Sequence, residues 1–480
     1  MPRGLSFDQI GVTEAMVASY GDFIWERSNN LQIRHGDPVR MLQFDALERR
    51  PDSLTDQQIA EILGLSRDQV LQIRVTLEAR NYRRRRYSRL YELGGQHRFR
   101  AERFVPHEER DRFSPDAMAL RNALRYDPLL VRKYTEDGCW ADDTLTRWLS
   151  RDVAIDARRP AAIGPAGEIS YDELANSSER FARGLRLLGV RAGDVVSVQL
   201  PNIPEFLVAY LAIARLGAVM STAHMAYRSA EIQTLLRHNR GCAYIGLSRW
   251  KDCDPVADVL ALQGGRPTLD HVIALGDSVP RTTSFSDLLE SETGLPREGG
   301  PVPADPFLLL YTSGTSSSPK AVPLTYQMAL GNARMSAPEH GLRADDLILS
   351  AAPYTHLFGL YSIHLALSVG AGNLLLPQFS PPELLAAIER YRPTALFTAP
   401  AHLAALENAG LLQSGDFSSL RLVVVSGSPC PVRLARAVAA RLSNGSLTQL
   451  WGMTELQAGL FTRPGESVEV AAAGRPSPGA

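Results

Sequence analysis

Residues 306–322 read PFLLLYTSGTSSSPKAV, an apolar strand that runs directly into a loop rich in hydroxyl side chains. The loop, from Thr312 to Lys320, contains one glycine and ends in a lysine. Backbone N–H groups and short hydroxyl donors can wrap a polyphosphate, and the Lys320 ammonium adds a mobile positive charge. The order is not that of a Walker loop, because G-x-x-x-x-G-K-[ST] is absent. The stretch predicts another kind of phosphate-binding loop, with a Ser/Thr-rich surface turn as the alternative.

Strands and helices alternate around this loop from about residue 128 onward. The predicted strands are 195–200, 218–222 and 243–247, and the predicted helices are 204–215 and 230–238. Further apolar strand candidates follow in the sequence, namely DLILSA, GNLLLP, TALFTA and LRLVVVSG. This alternation is typical of an α/β protein with layered, largely parallel sheets.

Residues 1–125 predict a separate, mainly helical domain that precedes the α/β domain at 126–480. The segment 53–80 resembles a helix-turn-helix, and four arginines follow at 83–86. One interpretation is DNA contact, and the other is a helical module that packs on the enzyme or on a protein partner. Residues 1–126 hold 21 Arg against 18 Asp plus Glu. So weak a basic excess favours the second interpretation.

The composition excludes several classes of protein. The net charge of −1 over 480 residues gives no overall field that recruits nucleic acid or an anionic membrane. We find no apolar run long enough to span a bilayer and no secretory signal, so we expect a cytoplasmic protein. The spacing of the four cysteines fits neither a metal site nor a disulfide framework. The chain has 51 basic residues, and its three lysines are Lys133, Lys251 and Lys320.

Three further motifs lie downstream of the loop, namely PYTHLFG at 353–359, SGSPCP at 426–431 and LWGMTE at 450–455. The last of these combines groups suited to a nucleotide. The aromatic face of Trp451 can stack on a purine. The hard carboxylate oxygens of Glu455 suit Mg²⁺.

Together, the loop and these motifs resemble the adenylate-forming superfamily, which includes acyl-CoA synthetases, peptide-synthetase adenylation domains and luciferases. The resemblance covers about residues 128–480, and the usual form of the loop is Y-T-S-G-T-T-G-x-P-K-G-V. This sequence departs from that form at Ser316, Ser317 and Ala321. Ser317 matters most, because glycine there permits backbone angles that serine resists.

The resemblance implies a role for each motif. Trp451 lies against adenine, with Gly452 and Met453 in the same motif, while Thr454 contacts the α-phosphate. His356 lies beside the substrate carboxylate. By the same resemblance, Glu455 and Thr315 hold Mg²⁺, and Gly427, Ser428 and Pro429 border the adenine and acyl pockets. The triphosphate is bound by the residues of the loop, namely Thr312, Ser313, Gly314, Thr315, Ser316, Ser317 and Lys320. Thr312, Lys320, His356 and Glu455 are the candidate catalytic residues.

The implied function is ATP-dependent activation of a small-molecule carboxylic acid to an acyl-adenylate, followed by thioester formation with coenzyme A. The segment 357–361 carries no carboxylate that could receive an α-amino group, and no asparagine follows His356. Both features favour an uncharged medium-chain, alicyclic or simple aromatic acid, and the stretch 140–145 resembles cyclohexanecarboxylate-type ligases. The alternatives are loading of a carrier protein, or a degenerate regulator that binds acyl ligand and nucleotide and has a DNA- or protein-binding N-terminal module.

The final residues, 474–480, fall within a further motif of the superfamily. Relatives continue from this point into a ribose-binding aspartate, a hinge and a C-terminal lid that carries the adenylation lysine. We therefore expect the large domain to be incomplete at its C-terminus and adenylation by this chain alone to be slow, because closure of a lid assembles such sites.

Overall fold

A computed structural model describes residues 128–262, 269–291, 300–312, 320–466 and 474–478. These ranges belong to the α/β part of the chain. The expected helical domain at 1–125, including the segment at 53–80, lies outside the described residues and stays a prediction. Residues 313–319 of the phosphate loop also lie outside them.

Sixteen strands are found in the described part of the chain. They are β1 Pro160–Gly164, β2 Gly167–Ser170, β3 Val195–Gln199, β4 Val219–Thr222, β5 Ala243–Leu247, β6 His271–Leu275, β7 Thr283–Ser284, β8 Pro306–Thr312, β9 Lys320–Thr325, β10 Leu347–Ser350, β11 Gly372–Leu374, β12 Ala395–Thr398, β13 Leu422–Val425, β14 Ser446–Met453, β15 Gln457–Phe461 and β16 Arg475–Pro476.

Thirteen helices accompany the strands in the same residues. They are α1 Pro128–Glu136, α2 Leu145–Asp156, α3 Tyr171–Leu187, α4 Pro204–Arg215, α5 Ser229–Asn239, α6 Pro255–Ala261, α7 Phe285–Leu289, α8 Tyr326–Glu339, α9 Leu357–Val369, α10 Pro381–Tyr391, α11 Pro400–Asn408, α12 Leu411–Ser414 and α13 Val432–Ala439.

The strands form two sheets that are parallel at their centres. The larger sheet has the order β16-β15-β14-β13-β12-β10-β11-β1-β2, and it is antiparallel only at its ends, between β1 and β2 and among β14, β15 and β16. The smaller sheet has the order β7-β6-β5-β3-β4-β8-β9, with one antiparallel pair, β8 and β9. Parallel strands require crossover connections, and most of the helices supply them.

The buried residues define the layers. A central cluster contains side chains from both sheets and from helices α2, α3, α4, α8 and α9. Helix α9 is buried over most of its circumference, as expected for a helix enclosed between sheets. A second cluster joins the larger sheet to α10, α11 and α13, and a third joins the smaller sheet to α5 and α6. The result is an α/β/α/β/α arrangement.

Local sequence signals account for several boundaries. Ser170 caps α3 in a capping box, in which its hydroxyl accepts from the Glu173 N–H and the Glu173 carboxylate accepts from the Ser170 N–H. Helix α4 begins with a proline in its first turn, and it matches the predicted span 204–215. The α/β class, the parallel sheets and the strand at 243–247 are likewise confirmed.

No helix in the described ranges combines the length and apolar character needed to cross a bilayer. The four cysteines fall within these ranges, and each is a free thiol.

Candidate active site

The carboxyl ends of the two sheets meet around the segment that follows β10. Asn202, which follows β3 of the smaller sheet, is buried there. Its amide nitrogen donates to the Ala352 carbonyl at 3.0 Å, and its amide oxygen accepts from the Tyr354 N–H at 2.7 Å. Ligands of open α/β sheets bind outside the carboxyl ends of the strands. These hydrogen bonds therefore mark the expected position of a binding cleft.

Two histidines lie side by side at this junction. His224 follows β4 of the smaller sheet, and His356 follows β10 of the larger one. Their ring centroids are 6.1 Å apart, with an interplanar angle of 26°. The Nδ1 atom of His224 is 2.9 Å from the hydroxyl of Thr355, which is buried. A hydrogen bond between residues 131 positions apart thus joins the edges of the two sheets.

The His356 side chain caps helix α9. Its Nδ1 accepts a hydrogen bond from the Phe358 N–H at 3.2 Å, so the proton of the neutral ring belongs on Nε2. The chain turns sharply here and leaves no room for a side chain at position 359. A Cβ on Gly359 would lie 2.2 Å from the Pro353 carbonyl oxygen. The motif PYTHLFG therefore presents a neutral N–H donor at the positive end of a helix dipole.

Both imidazoles are neutral at pH 7. Desolvation, together with the smaller effect of the neighbouring His356, lowers the pKa of His224 to about 4. Desolvation by the surrounding protein also lowers the pKa of His356. Part of the residue nevertheless stays exposed to solvent. Neutral rings can offer one donor and one acceptor nitrogen each.

A buried hydrogen-bond chain supports the loop that carries His224. The Tyr244 hydroxyl donates to the amide oxygen of Gln199 at 2.5 Å. The Gln199 amide nitrogen donates to the carbonyls of His224, at 2.9 Å, and Tyr227, at 3.1 Å. The ring of Tyr227 meets that of His224 edge to face, at a centroid distance of 5.0 Å. The position of His224 is thereby fixed from the backbone side and from the ring side.

The two ends of the phosphate loop are adjacent. Thr312, the last residue of β8, pairs with Lys320, the first residue of β9. Thr312 is half-buried and Lys320 is exposed. The hydroxyl of Tyr311 lies 3.0 Å from Nδ1 of His238. Between these ends, Ser313, Gly314, Thr315, Ser316 and Ser317 lie outside the described residues, and their roles stay predictions.

The motif LWGMTE forms the end of β14 and the turn into β15. Trp451 is 49% exposed and Met453 is 46% exposed, which is unusual for side chains of this size. Thr454 is half-buried and Glu455 is exposed in the turn. A Cβ on Gly452 would lie 1.8 Å from the Gln457 carbonyl oxygen. The turn therefore holds a bulge whose backbone must move to accommodate a side chain at position 452.

Glu455 lines a cavity of about 200 Å³ between the turn and helix α8. Leu324 of β9, the strand that begins at Lys320, lines the same cavity. Glu455 and the strand that begins at Lys320 thus border the same cavity. The other lining residues are Tyr134, Cys139, Trp140, Met328, Asn332, Leu456 and Gln457.

The third motif follows β13, at the carboxyl edge of the larger sheet. Gly427 has φ of +94°, a conformation that favours glycine, and nothing lies within 4 Å of a Cβ built on it. Gly427, Ser428 and Pro429 are exposed, whereas Ser426 is anchored by its N–H to the Thr398 carbonyl at 3.0 Å. This turn projects from the same edge as PYTHLFG and LWGMTE.

The sequence did not single out His224 or the bridging role of Asn202. The only local signal was a polar residue just beyond an apolar strand, and that signal is common in α/β proteins. What distinguishes the two residues is contact with residues about 130 to 150 positions further along the chain.

Residues 149–480 match the family described as AMP-binding enzyme. The chain belongs to this family, as the order of its motifs predicted. The match includes the two histidines, the residues at the ends of the phosphate loop and the motif LWGMTE.

Among curated relatives, the chain is 34% identical over 372 residues to a salicyl-AMP ligase / salicyl-S-ArCP synthetase from Mycobacterium tuberculosis, covering 74% of this chain and 64% of that protein. It is 32% identical to an indoleacetate–CoA ligase from Aromatoleum aromaticum, covering 70% and 65%. The apo structure of Mycobacterium smegmatis MbtA superposes with a TM-score of 0.66 at 31% identity, covering 73% of this chain and 64% of that one. The chain thus spans somewhat less than two thirds of these relatives.

Proposed function

We propose that this protein activates an organic carboxylic acid with ATP to give an acyl-adenylate and then passes the acyl group to a thiol. The observation that carries the proposal is the junction where the carboxyl ends of both sheets meet, with a neutral imidazole at the start of α9. Membership of the AMP-binding family and similarity to acid–thiol ligases support it.

The residues divide the work between two halves of the cleft. The Nε2–H of His356 binds the carboxylate, helped by the α9 dipole. Trp451 stacks on adenine, Thr454 steadies the α-phosphate, and the loop from Thr312 to Lys320 binds the β- and γ-phosphates. The acid oxygen then attacks the α-phosphorus and pyrophosphate leaves. Catalysis consists of in-line positioning and of stabilising charge on the phosphate oxygens. The exposed turn at 427–429 borders the base and the acyl group.

Magnesium fits this arrangement as a partner of the nucleotide. Mg²⁺ binds through one or two carboxylates together with phosphate oxygens and water. Within the described ranges no cluster of three His, Cys, Asp or Glu side chains is present, so the protein supplies few ligands of its own there. Glu455 is the exposed carboxylate that would hold the ion, with Thr315 as its predicted companion. The ion supplies charge neutralisation of the phosphates.

The acid is proposed to be aromatic and uncharged apart from its carboxylate. The residues that follow His356, 357–361, are apolar apart from a tyrosine, and they form the first turn of the buried helix α9. Two relatives above 30% identity are named for aromatic acids, salicylate and indoleacetate. The relatives differ in the thiol, since one is named for a carrier protein and the other for CoA. CoA is the proposed acceptor, and CoA-dependent release of AMP distinguishes it from a carrier protein.

Acid-dependent exchange of labelled pyrophosphate into ATP tests the adenylation step. Exchange is expected with aromatic acids such as benzoate and its hydroxy derivatives, and it should fall about 10- to 100-fold in Lys320→Ala. Lys251→Ala is the matched control, because Lys251 is also an exposed lysine, lies over the Trp250 ring and has no proposed role in binding, so exchange should be unchanged.

A binding measurement complements this assay, because slow turnover by this chain would mask exchange. Isothermal titration with a 5′-O-(N-benzoylsulfamoyl)adenosine, a stable analogue of an aryl-adenylate, should show stoichiometric binding that ATP reduces by competition. Absence of both binding and exchange in a chain that circular dichroism shows to be folded would refute the proposal.

A further inference from the structure

The position of His224 is not explained by the chemistry of adenylation alone. His356 by itself supplies the donor proposed for the carboxylate. Yet a second imidazole stacks beside it, held by Thr355 at 2.9 Å and enclosed by Tyr227. His224 is only half-buried, so its ring is not sealed into the core. A polar ring placed at the wall of an acyl pocket calls for a ligand group that it can bind.

The hydrogen bonds indicate which nitrogen of His224 carries its proton. Thr355 is 2% exposed, and a buried hydroxyl must find an acceptor for its proton. Nδ1 of His224 is its side-chain partner in the described structure, so the hydroxyl donates to Nδ1. The neutral ring then carries its proton on Nε2, as does His356.

The cleft therefore offers two uncharged N–H donors side by side, one from the edge of each sheet. In the acyl-adenylate one carboxyl oxygen is bonded to phosphorus, and the remaining carbonyl oxygen accepts from His356. A plain acyl group then offers no further acceptor atom for the other donor, whereas an acyl group with an oxygen substituent next to the carbonyl satisfies both donors. A site built to hydrogen-bond a ligand group discriminates strongly against the analogue that lacks it.

We propose that His224 is a specificity-determining residue whose N–H binds an acceptor atom adjacent to the carboxylate, so that the preferred acid is an aryl acid with an ortho oxygen. This inference rests on the proposed function and extends it to the substrate class. His224 acts on recognition of the acid and makes no contact with the nucleotide.

The test compares two aryl-adenylate analogues that differ by one hydroxyl group. Isothermal titration is carried out with the benzoyl and the 2-hydroxybenzoyl forms of sulfamoyl-adenosine. The native chain should bind the hydroxylated form about tenfold more tightly, as expected for one hydrogen bond. In His224→Phe, which keeps a planar ring and removes the donor, the two affinities should become equal while that for the benzoyl form changes less than about threefold. A merely structural role would weaken both analogues together.

Two further variants complete the design. His271→Phe is the matched control, because His271 lies at the amino end of β6, away from the carboxyl ends of the strands. This variant should keep the tenfold preference. His224→Gln restores an amide donor and should recover part of the preference. If His224→Phe does not fold, a preference in His224→Gln between those of the native chain and unity supports the inference, and an unchanged preference overturns it.

The outcomes separate the two proposals. Equal affinities in the native chain, or a preference that survives in His224→Phe, overturn the role of His224 and leave adenylation intact. Failure of a folded native chain to bind either analogue refutes the proposed function itself.

Discussion

The acid end and the nucleotide end of the cleft are built differently. At the acid end, Asn202 and Thr355 are buried, and hydrogen bonds between them and their neighbours join the two sheets. At the nucleotide end, Trp451 and Met453 are about half exposed, and Glu455 and Lys320 are exposed. The protein itself satisfies the polar groups of Asn202 and Thr355, whereas the nucleotide end presents surfaces that a ligand would cover. Substitutions that break these buried hydrogen bonds should therefore affect folding, and those at the nucleotide end should affect binding.

The largest expected effect comes from adding a methyl group to Gly359. A Cβ there would meet the backbone of Pro353 at 2.2 Å inside the buried start of α9. Gly359→Ala should reduce the free energy of unfolding by about 3 kcal/mol, the upper part of the usual range for overpacking. Urea unfolding measures it, with Gly300→Ala as a control because nothing lies within 4 Å of a Cβ at that position.

Gly452→Ala makes the same change, glycine to alanine, at the nucleotide end of the cleft and so allows a direct comparison with Gly359→Ala at the acid end. Its Cβ would meet the Gln457 carbonyl oxygen at 1.8 Å, but Gly452 is exposed in a bulge that can shift toward solvent. It should lose less stability than Gly359→Ala and more affinity for the benzoyl analogue. The reverse order of stabilities would show that the two ends do not differ in this way.

The second largest effect should follow removal of the bridge between the sheets. Asn202→Ala leaves the Tyr354 N–H and the Ala352 carbonyl without their partner in the interior. Unsatisfied buried groups cost about 1–3 kcal/mol, so a loss of about 2 kcal/mol is expected in urea unfolding. Asn408→Ala, at the exposed end of α11, should change stability by less than about 0.5 kcal/mol. Equal effects would mean that the bridge is not stabilising.

Local pattern predicted the elements of this fold and left their assembly open. Helix α4 and strand β5 begin and end where the sequence placed them, because apolar runs and proline report the local environment directly. The place of β11 between β10 and β1 has no such signal, since β1 precedes it by about 200 residues. The motifs around His356 and Trp451 identified the candidate site by resemblance. The partnership of His224 with Thr355 depends on the packing of two sheets, which no short window of sequence contains.

Low pH should reduce the free energy of unfolding through His224, which lies at the acid end of the cleft. Its pKa is about 4 in the folded protein and about 6.5 when unfolded, so the unfolded chain binds more protons between these values. The stabilisation that the neutral His224 ring contributes is fully present above pH 6.5 and is lost as pH falls toward 4. Between pH 7 and 5 the loss attributable to His224 should be about 1–2 kcal/mol.

Urea unfolding at several pH values measures this loss. His340 and His364, buried with pKa values of about 3, add to the slope of the native chain, so the informative quantity is its difference from His224→Gln. That variant should show a shallower dependence between pH 6.5 and 4. Parallel curves would mean that His224 titrates alike in both states, contrary to its desolvation at the junction of the sheets.

The smallest effect on stability and the clearest effect on binding should come from Trp451. Because the side chain is 49% exposed, Trp451→Ala should change the free energy of unfolding by less than about 0.5 kcal/mol. Stacking of a base on an aromatic ring contributes about 1–3 kcal/mol, so affinity for the sulfamoyl-adenosine analogues should fall about tenfold. Trp451→Tyr keeps a stacking face and should retain most of that affinity. Because adenine is common to both analogues, the ratio of their affinities should stay at the native value. A changed ratio would mean that the two ends of the cleft are coupled, and the division of labour between them would then be wrong.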